Sequence, residues 1–404
     1  MATMRSASPA QTAPSPNTDI ECLRALAVIG VVIHHMQGNL FYPNLPLLTR
    51  LSQYVQTWCG VDLFFAISGF VIARSLLPPL AAASGNMSTQ WQVIAAFWIR
   101  RAWRLLPSAW LWLALMLLAS IVANRSGAFQ SVHANLMATA AGVFNVANIR
   151  FGQSIFRYFY GASFVYWSLS LEEQFYLVLP WLVVCLRRYF PWVLAILLAI
   201  QLPMDRSIMM MQFRTDALGL GVLLAMASRT VFYTRIEPRI LGHLRGSGAA
   251  LLVLALSGMA LLAKLNPKHS SYTIGGIAII ATVLVWMASY NANYLVRQGW
   301  LKRALVWVGN RSYAIYLCHV PIFFLLREYC FRLGIQHAPA WQLSAAAAVL
   351  IAVTAALNFR YVEQPLRRHG REVARQFLAR RKNQADAANI PASDDPDNRA
   401  AISA

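Results

Sequence analysis

Ten apolar stretches follow one another along this chain of 404 residues, and most are long enough to cross a lipid bilayer as a helix. Hydrophobic residues make up 58% of the chain and charged residues 12%, which excludes a soluble enzyme with a water-facing surface. We therefore predict an all-α, polytopic integral membrane protein with about ten transmembrane helices. The predicted spans are residues 22–40, 57–77, 105–123, 164–186, 191–204, 208–228, 248–263, 272–290, 305–326 and 341–359.

The segment 131–148 is also apolar, but it is short and contains His133 and Asn145. It could be an eleventh span or a re-entrant piece. Cytoplasmic loops are enriched in Lys and Arg, and ten spans with both termini in the cytoplasm place most of the 35 basic residues on that side. An eleventh span would move the arginine-rich loop after residue 228 outside, so the basic residues favour ten.

The net charge of +20 follows the loops and the C-terminal tail. This layout indicates topology signals and contact with anionic membrane lipids, and it argues against a nucleic acid partner. The five cysteines lack the spacing of metal ligands, so we predict neither a metal site nor a disulfide framework.

The chain divides into a membrane domain and two polar ends. We expect residues 1–19 to be a disordered cytoplasmic N-terminus without a cleaved signal peptide, residues 20–366 to form the transmembrane domain, and residues 367–404 to be a disordered cytoplasmic tail that is basic and then acidic. The last span is predicted to end near Glu363 and Pro365.

Ionisable residues within the first predicted span are costly to place in lipid and therefore indicate function. Arg24 and His35 are eleven residues apart, which on a helix leaves them about 20° apart in azimuth and about 16 Å apart along the axis. They should share one face. His34 points about 100° away from that face, so we expect it to pack against a neighbouring helix.

Other polar residues also fall inside predicted spans. Glu172 and Glu173 must find partners there, and either one could orient His35 or pair with Arg24. Further candidates for the lining of a substrate route are Asp62, Arg214, Asp216 and His319, for which a buried ion pair or an interhelical hydrogen bond is the alternative.

Small residues in the second span have a packing interpretation. We expect Ser68 and Gly69 to permit close approach of helices rather than to form a nucleophile elbow, since no Gly-x-Ser-x-Gly string occurs in the chain.

Several motifs occur in one order between about residues 19 and 368. They are Leu23–Val28 with His35, Gly60–Phe70, Phe97–Pro107, Trp167–Tyr176, Arg214–Asp216 with Gly219, Gly309 with Ser312–His319, and Glu363–Pro365 with Arg367. On these motifs the chain resembles the acyltransferase-3 family of membrane-bound O-acyltransferases. Each string alone would be weak, but their joint order makes a chance agreement improbable.

The resemblance implies transfer of an acyl group, most commonly acetyl, from cytoplasmic acyl-CoA to a hydroxyl of a surface glycan or lipid-linked saccharide. It implies a location in the cytoplasmic (inner) membrane of a bacterium. The family's Arg-x-x-Arg element falls on Arg101 and Arg104, which are therefore expected to bind acyl-CoA, with Arg100 beside them. Guanidinium groups suit the phosphates of coenzyme A. Acetyl-CoA is thus the expected donor, with no metal.

Acyl transfer to a hydroxyl requires a base that works near neutral pH, and imidazole is the natural candidate. His35 would deprotonate the acceptor, or it would carry the acyl group transiently as a nucleophile. Both mechanisms fit the sequence, with Arg24, Glu172 and Glu173 as supporting residues.

Two readings from other classes compete with an acyltransferase. Intramembrane ionisable residues also line the substrate paths of transporters and flippases of glycan-type substrates, and an acyl-CoA sensor would need no turnover.

Some members of the family carry an additional periplasmic esterase-like domain, which residues after Arg367 are too few to form. Transfer would then rely on the membrane domain alone or on a separate periplasmic transferase partner.

Overall fold

The computed structural model describes residues 17–41, 46–155, 157–204, 208–244, 246–265, 272–335 and 338–388, and within these ranges it is built from helices without a β-strand. The predicted all-α class is confirmed. The α-helices are α1 (Thr18–Asn39), α2 (Pro46–Ser52), α3 (Gly60–Ala82), α4 (Met87–Val122), α5 (Val132–Val143), α6 (Ala147–Ser154), α7 (Tyr166–Leu186), α8 (Phe190–Gln201), α9 (Asp216–Ala227), α10 (Val231–Arg235), α11 (Ile240–His243), α12 (Ser247–Lys264), α13 (Thr273–Ser289), α14 (Trp300–Asn310), α15 (Ser312–Arg332), α16 (Ala340–Asn358) and α17 (Gln364–Ala388).

Six helical stretches of the described chain are long and apolar enough to cross a membrane, which makes this a multi-pass membrane protein. They are Gly60–Ala82, Met87–Val122, Tyr166–Gln201, Ser247–Lys264, Ser312–Arg332 and Ala340–Arg381. A seventh would be α9 together with the segment Val231–His243, although these two pieces meet at an angle of 91°.

The structure does not reproduce the predicted count of ten spans, and helix length explains much of the difference. α8 and α9 have 12 residues each. Twelve helical residues cover only about 18 Å, against a hydrocarbon core of about 30 Å. α13, with 17 residues, is also short. α1 has 22 residues, but Arg24, His34 and His35 lower its mean hydropathy.

The ambiguous segment 131–148 is not one continuous helix. It contains α5, with 12 residues, and the beginning of α6, with 8 residues. Between them Asn145 adopts a left-handed conformation, with φ of 55°. Neither helix is long enough to cross a bilayer, so the break is consistent with a segment that does not span it.

α3 and α9 cross at close range in the middle of the protein. A Cβ atom at Gly69 would collide with the backbone of Leu218, and one at Gly221 would collide with the backbone of Ala66. The predicted packing role is therefore confirmed for Gly69. Ser68 differs, because its side chain faces a cavity.

The N-terminal end of α1 is held firmly in place. Asn17 caps the helix, since its Oδ1 accepts hydrogen bonds from the backbone N–H groups of Asp19 and Ile20, both at 3.0 Å. Asp19 forms a buried ion pair with Lys302, whose Nζ also donates to Asn293 Oδ1. Lys302, which falls between the predicted spans 272–290 and 305–326, is thus a buried structural residue of α14.

The C-terminal part of the described chain is helical rather than disordered. α16 continues through a π-helical turn at Phe359–Glu363 into α17, so the helix does not end near Pro365 and residues 367–388 are ordered. Apolar residues at helical spacing explain this, because Gly370 and Ala374 are buried. Gly370 leaves no room for a Cβ against Trp103 of α4. The expectations for residues 1–16 and 389–404 concern positions outside the described residues.

Candidate active site

Two neighbouring cavities lie inside the helical assembly. The small cavity has a volume of about 80 Å³ and the large cavity a volume of about 740 Å³. Val61 of α3 and Tyr316 of α15 line both of them. These two side chains therefore form the partition between the cavities.

One face of α1 serves both cavities. Arg24 lines the small cavity, whereas Val31 and His35 line the large one. These residues recur at intervals of seven and four, so they follow one stripe of the helix. The predicted common face is therefore present, and the partition divides it.

The small cavity is rich in arginine. Arg24, Arg101 and Arg104 line it, whereas Arg100 does not. The Arg101 guanidinium lies 5.4 Å from the centre of the Tyr176 ring. Arg104 Nε is buried without a hydrogen-bond partner in the described part of the chain. The two arginines of the Arg-x-x-Arg element are thus brought together with Arg24 of α1 at one cavity.

Glu172 and Glu173 also line the small cavity, but they do not support His35 as expected. Ser68 Oγ and Tyr176 OH donate hydrogen bonds to Glu172 Oε1. Among the described residues, the carboxylate that pairs with Arg24 belongs to Glu21, at 2.6 Å. Since Glu21 is one turn before Arg24 on the same helix, this local pair forms more readily than a contact across to α7.

The side chain of His35 is bonded to a second histidine. Nδ1 of His35 lies 2.8 Å from Nε2 of His319 on α15, and the two rings are nearly parallel, with an angle of 13° between their planes. Nδ1 of His319 lies 2.7 Å from the backbone carbonyl oxygen of Tyr316. His319 is completely buried and, unlike His35, does not line the large cavity.

His34 does not have the packing position expected from the helical wheel. It lines the large cavity beside His35, with 5.3 Å between the ring centres. The kink of α1 at Gln37 and Gly38 follows closely, and the cavity is wide enough to reach both rings. The bond to His319, rather than exposure to the cavity, distinguishes His35 from its neighbour.

Aromatic and amide side chains stand among the aliphatic ones that line the large cavity. The aromatic residues are Trp58, Phe151, Phe164 and Trp167, and the amides are Gln37, Asn39 and Gln56. Flat apolar rings combined with amide donors and acceptors suit a ligand with both apolar faces and hydroxyl groups.

Arg214 reaches the same cavity from the segment before α9. Its guanidinium lies 4.6 Å from the centre of the Trp58 ring and pairs with Asp62, which is fully buried and outside the cavity lining. Asp216 is buried at the first residue of α9. All four candidates for a substrate route are buried, and of the four Arg214 alone contributes to the lining of the large cavity.

Tyr316 is the site residue that sequence reasoning missed. Its hydroxyl donates to the backbone carbonyl of Val165 at 3.0 Å and lies 2.7 Å from Ser168 Oγ, which fixes the ring in the partition. A signal was present in the sequence, because Tyr316 and His319 are three residues apart and therefore share a helix face. Glu21, three residues before Arg24, carried the same kind of signal.

Comparison with known proteins gives a consistent picture. Residues 17–359 match the family profile described as an acyltransferase domain. The peptidoglycan O-acetyltransferase OatA of Listeria monocytogenes is 28% identical over 385 residues, which cover 87% of this chain and 56% of that protein. The O-acetyltransferase OatA of Staphylococcus aureus strain MRSA252 is 26% identical over 398 residues, which cover 90% of this chain and 59% of that protein.

The chain thus spans less than 60% of the length of these curated relatives. No solved structure matches it.

Proposed function

The chain belongs to the acyltransferase-3 family, and we propose that it transfers an acetyl group from acetyl-CoA to a hydroxyl of a glycan or lipid-linked saccharide. The observation that carries this proposal is the pair of cavities along one face of α1. Arginines line the small cavity and His35 lines the large one, with a partition of only two side chains between them.

The small cavity is the proposed donor site. Three arginines supply charge for the phosphates of coenzyme A, and the buried Arg104 Nε is a donor that a phosphate oxygen would satisfy. A volume of about 80 Å³ is too small for all of acetyl-CoA. We therefore place the phosphates beside the arginines at the cytoplasmic mouth of the small cavity, with both chain termini on that side too. The thioester end is placed at the partition, where its carbonyl carbon can extend toward His35.

The large cavity is the proposed acceptor site. Its aromatic rings offer flat faces to a sugar ring, and its amides offer hydrogen bonds to hydroxyl groups. The similarity to a peptidoglycan O-acetyltransferase makes peptidoglycan sugars the first acceptor to test.

His35 is the proposed general base. Its imidazole removes the proton from the acceptor hydroxyl while the oxygen attacks the carbonyl carbon of the thioester. The carbon–sulfur bond then breaks, and the proton passes from His35 to the departing thiolate of coenzyme A. In a variant of this mechanism His35 attacks first and carries the acetyl group to the acceptor.

The test uses the purified chain in lipid vesicles with acetyl-CoA and soluble peptidoglycan fragments. We expect release of free thiol that depends on the acceptor, together with an alkali-labile acetyl ester on the fragments, detected by mass spectrometry. His35→Ala should abolish both signals while the protein still inserts. His34→Ala, at the same cavity surface, should keep substantial activity.

The opposite ranking of the two histidines would contradict the assignment of the base. Intact binding of acetyl-CoA without thiol release, with these fragments and with other surface glycans, would refute an acyltransferase. Comparison of acetyl esters on cell-surface glycans with and without the protein would then identify the acceptor class.

A further inference from the structure

The hydrogen bonds around His319 determine which nitrogen of His35 can act as a base. The catalytic role inferred for His319 rests on the proposed function. The tautomers themselves do not, because the chain of hydrogen bonds exists in the resting protein. It runs from the backbone carbonyl of Tyr316 through His319 to His35. The direction of each hydrogen bond in this chain follows from the carbonyl oxygen of Tyr316, because a carbonyl oxygen can only accept.

The first link fixes the tautomer of His319. A carbonyl oxygen only accepts hydrogen bonds, so the nitrogen 2.7 Å from Tyr316 O must be an N–H group. That nitrogen is Nδ1 of His319. A neutral imidazole has a single N–H, and therefore Nε2 of His319 has a free lone pair and must accept.

The second link transfers this constraint to His35. Nδ1 of His35 lies 2.8 Å from the accepting Nε2 of His319, so Nδ1 of His35 must be the donor. The near-parallel arrangement of the rings suits a hydrogen bond in their common plane. Nε2 of His35 then has no proton, and the ring lines the large cavity.

A charged His319 would reverse the direction of the second link, but its surroundings oppose that state. Its side chain is fully buried, and among the described residues no ion pair joins either histidine to a carboxylate. A buried cation without a counter-ion is strongly disfavoured. The neutral pair with both Nδ1 atoms protonated is therefore the resting arrangement.

We propose that His319 is a positioning residue that holds His35 in the tautomer with a bare Nε2 directed to the acceptor cavity. When Nε2 takes the proton of the acceptor hydroxyl, the Nδ1–H of the resulting imidazolium still donates to His319. The hydrogen bond therefore persists through proton transfer and strengthens, because its donor has become charged. His319 thus supports the reaction without touching the substrate.

Nitrogen NMR of the full chain, labelled with ¹⁵N-histidine in lipid nanodiscs at mildly alkaline pH, tests this assignment directly. The signals that disappear in His35→Ala identify His35. We expect a protonated Nδ1 and an unprotonated Nε2 for His35 in the wild-type protein, and a mixture of tautomers in His319→Phe. Wild-type His35 with an unprotonated Nδ1, or an unchanged tautomer in His319→Phe, would overturn the proposal.

Kinetics separates a positioning role from a merely structural one. His319→Phe should lower kcat by roughly 10²-fold and leave KM for acetyl-CoA unchanged. This loss is smaller than the ~10⁴-fold loss caused by replacing the aspartate that orients the histidine of a Ser-His-Asp triad, because His319 is uncharged. His319→Gln retains an accepting oxygen and should recover much of kcat.

A loss of kcat that His319→Gln does not recover would assign His319 a structural role and overturn the proposal. A wild-type protein with the expected tautomer but no acetyl transfer would instead refute the proposed function. The tautomer assignment would stand in that case, so the two failures are distinguishable.

Discussion

The partition between the cavities offers a direct test of the two-site arrangement. Tyr316 and Val61 separate the proposed donor and acceptor sites, and the Tyr316 side chain is 5% exposed. Tyr316→Ala should join the cavities and admit water to the thioester. We therefore expect hydrolysis of acetyl-CoA without an acceptor to rise toward the rate seen with one, because a closed site normally prevents this side reaction.

The hydroxyl and the ring of Tyr316 can be tested separately. Tyr316→Phe removes the bonds to Ser168 and Val165 but keeps the ring in the partition. Ser168 Oγ retains the Val165 carbonyl at 3.3 Å, so no side-chain group loses its last partner and the cost is about 1 kcal/mol. Tyr316→Ala removes a buried ring and should cost about 3–5 kcal/mol. The bond from His319 survives both changes, since it ends on the backbone of Tyr316.

Phe129→Ala is the control matched for stability. Phe129 is fully buried, packs against Phe324 and lines neither cavity, so its truncation should cost a similar 3–5 kcal/mol without joining the cavities. The assay is thiol release from acetyl-CoA in vesicles without acceptor, with thermal stability measured in parallel. If thiol release without acceptor were as fast in Phe129→Ala as in Tyr316→Ala, the role of the partition would be refuted. It would also be refuted if Tyr316→Ala released thiol only when the acceptor is present.

Three further predictions address the donor site, the anchoring of α1 and the helix crossing. Arg101→Lys should raise KM for acetyl-CoA by about tenfold, because the ammonium group is a point charge and cannot bind a phosphate through two parallel hydrogen bonds as a guanidinium does. Arg100→Lys is the control and should raise KM less, because Arg100 does not line the small cavity. Equal increases in KM would contradict the assignment of the cavity arginines. Lys302→Met should destabilise the protein by about 3–5 kcal/mol in thermal unfolding, because it strands the buried carboxylate of Asp19. Asp19→Leu combined with Lys302→Met should recover most of that loss, and additive losses would argue against the ion pair. Gly69→Ala should reduce thermal stability and the yield of folded protein, since its Cβ would meet the backbone of α9; wild-type stability would rule out the close crossing.

Features that depend on nearby residues could be predicted from the sequence. The apolar stretches predicted a helical membrane protein, and the ordered motifs predicted the family. The eleven-residue interval in α1 predicted the face shared by Arg24 and His35, because helical periodicity is a local property. Arg101 and Arg104, which the family resemblance assigns to one Arg-x-x-Arg element, also line the same cavity.

Features that depend on distant residues could not be predicted in this way. His35 and His319 are 284 positions apart, and only the packing of α1 beside α15 brings them into contact. The hydrogen-bond partners of Glu172 could not be predicted for the same reason. A buried carboxylate needs hydrogen bonds, but the sequence does not specify which helix supplies them. Lys302 falls outside the predicted spans, and charge alone cannot distinguish a topology signal from a buried ion pair.

The stripe along α1 also fixes a distance that the proposed donor would have to span. Arg24 lies in one cavity and His35 in the other, about 16 Å apart along a helix whose first turn is clamped by Asn17 and Asp19. A donor whose phosphates are held near Arg24 must bring its carbonyl carbon across that fixed interval. Every acyl-CoA has the same arm between its phosphates and its thioester, so this interval would have to match the length of that arm. A single residue inserted between Arg24 and His35 would change both the interval and the direction of the base.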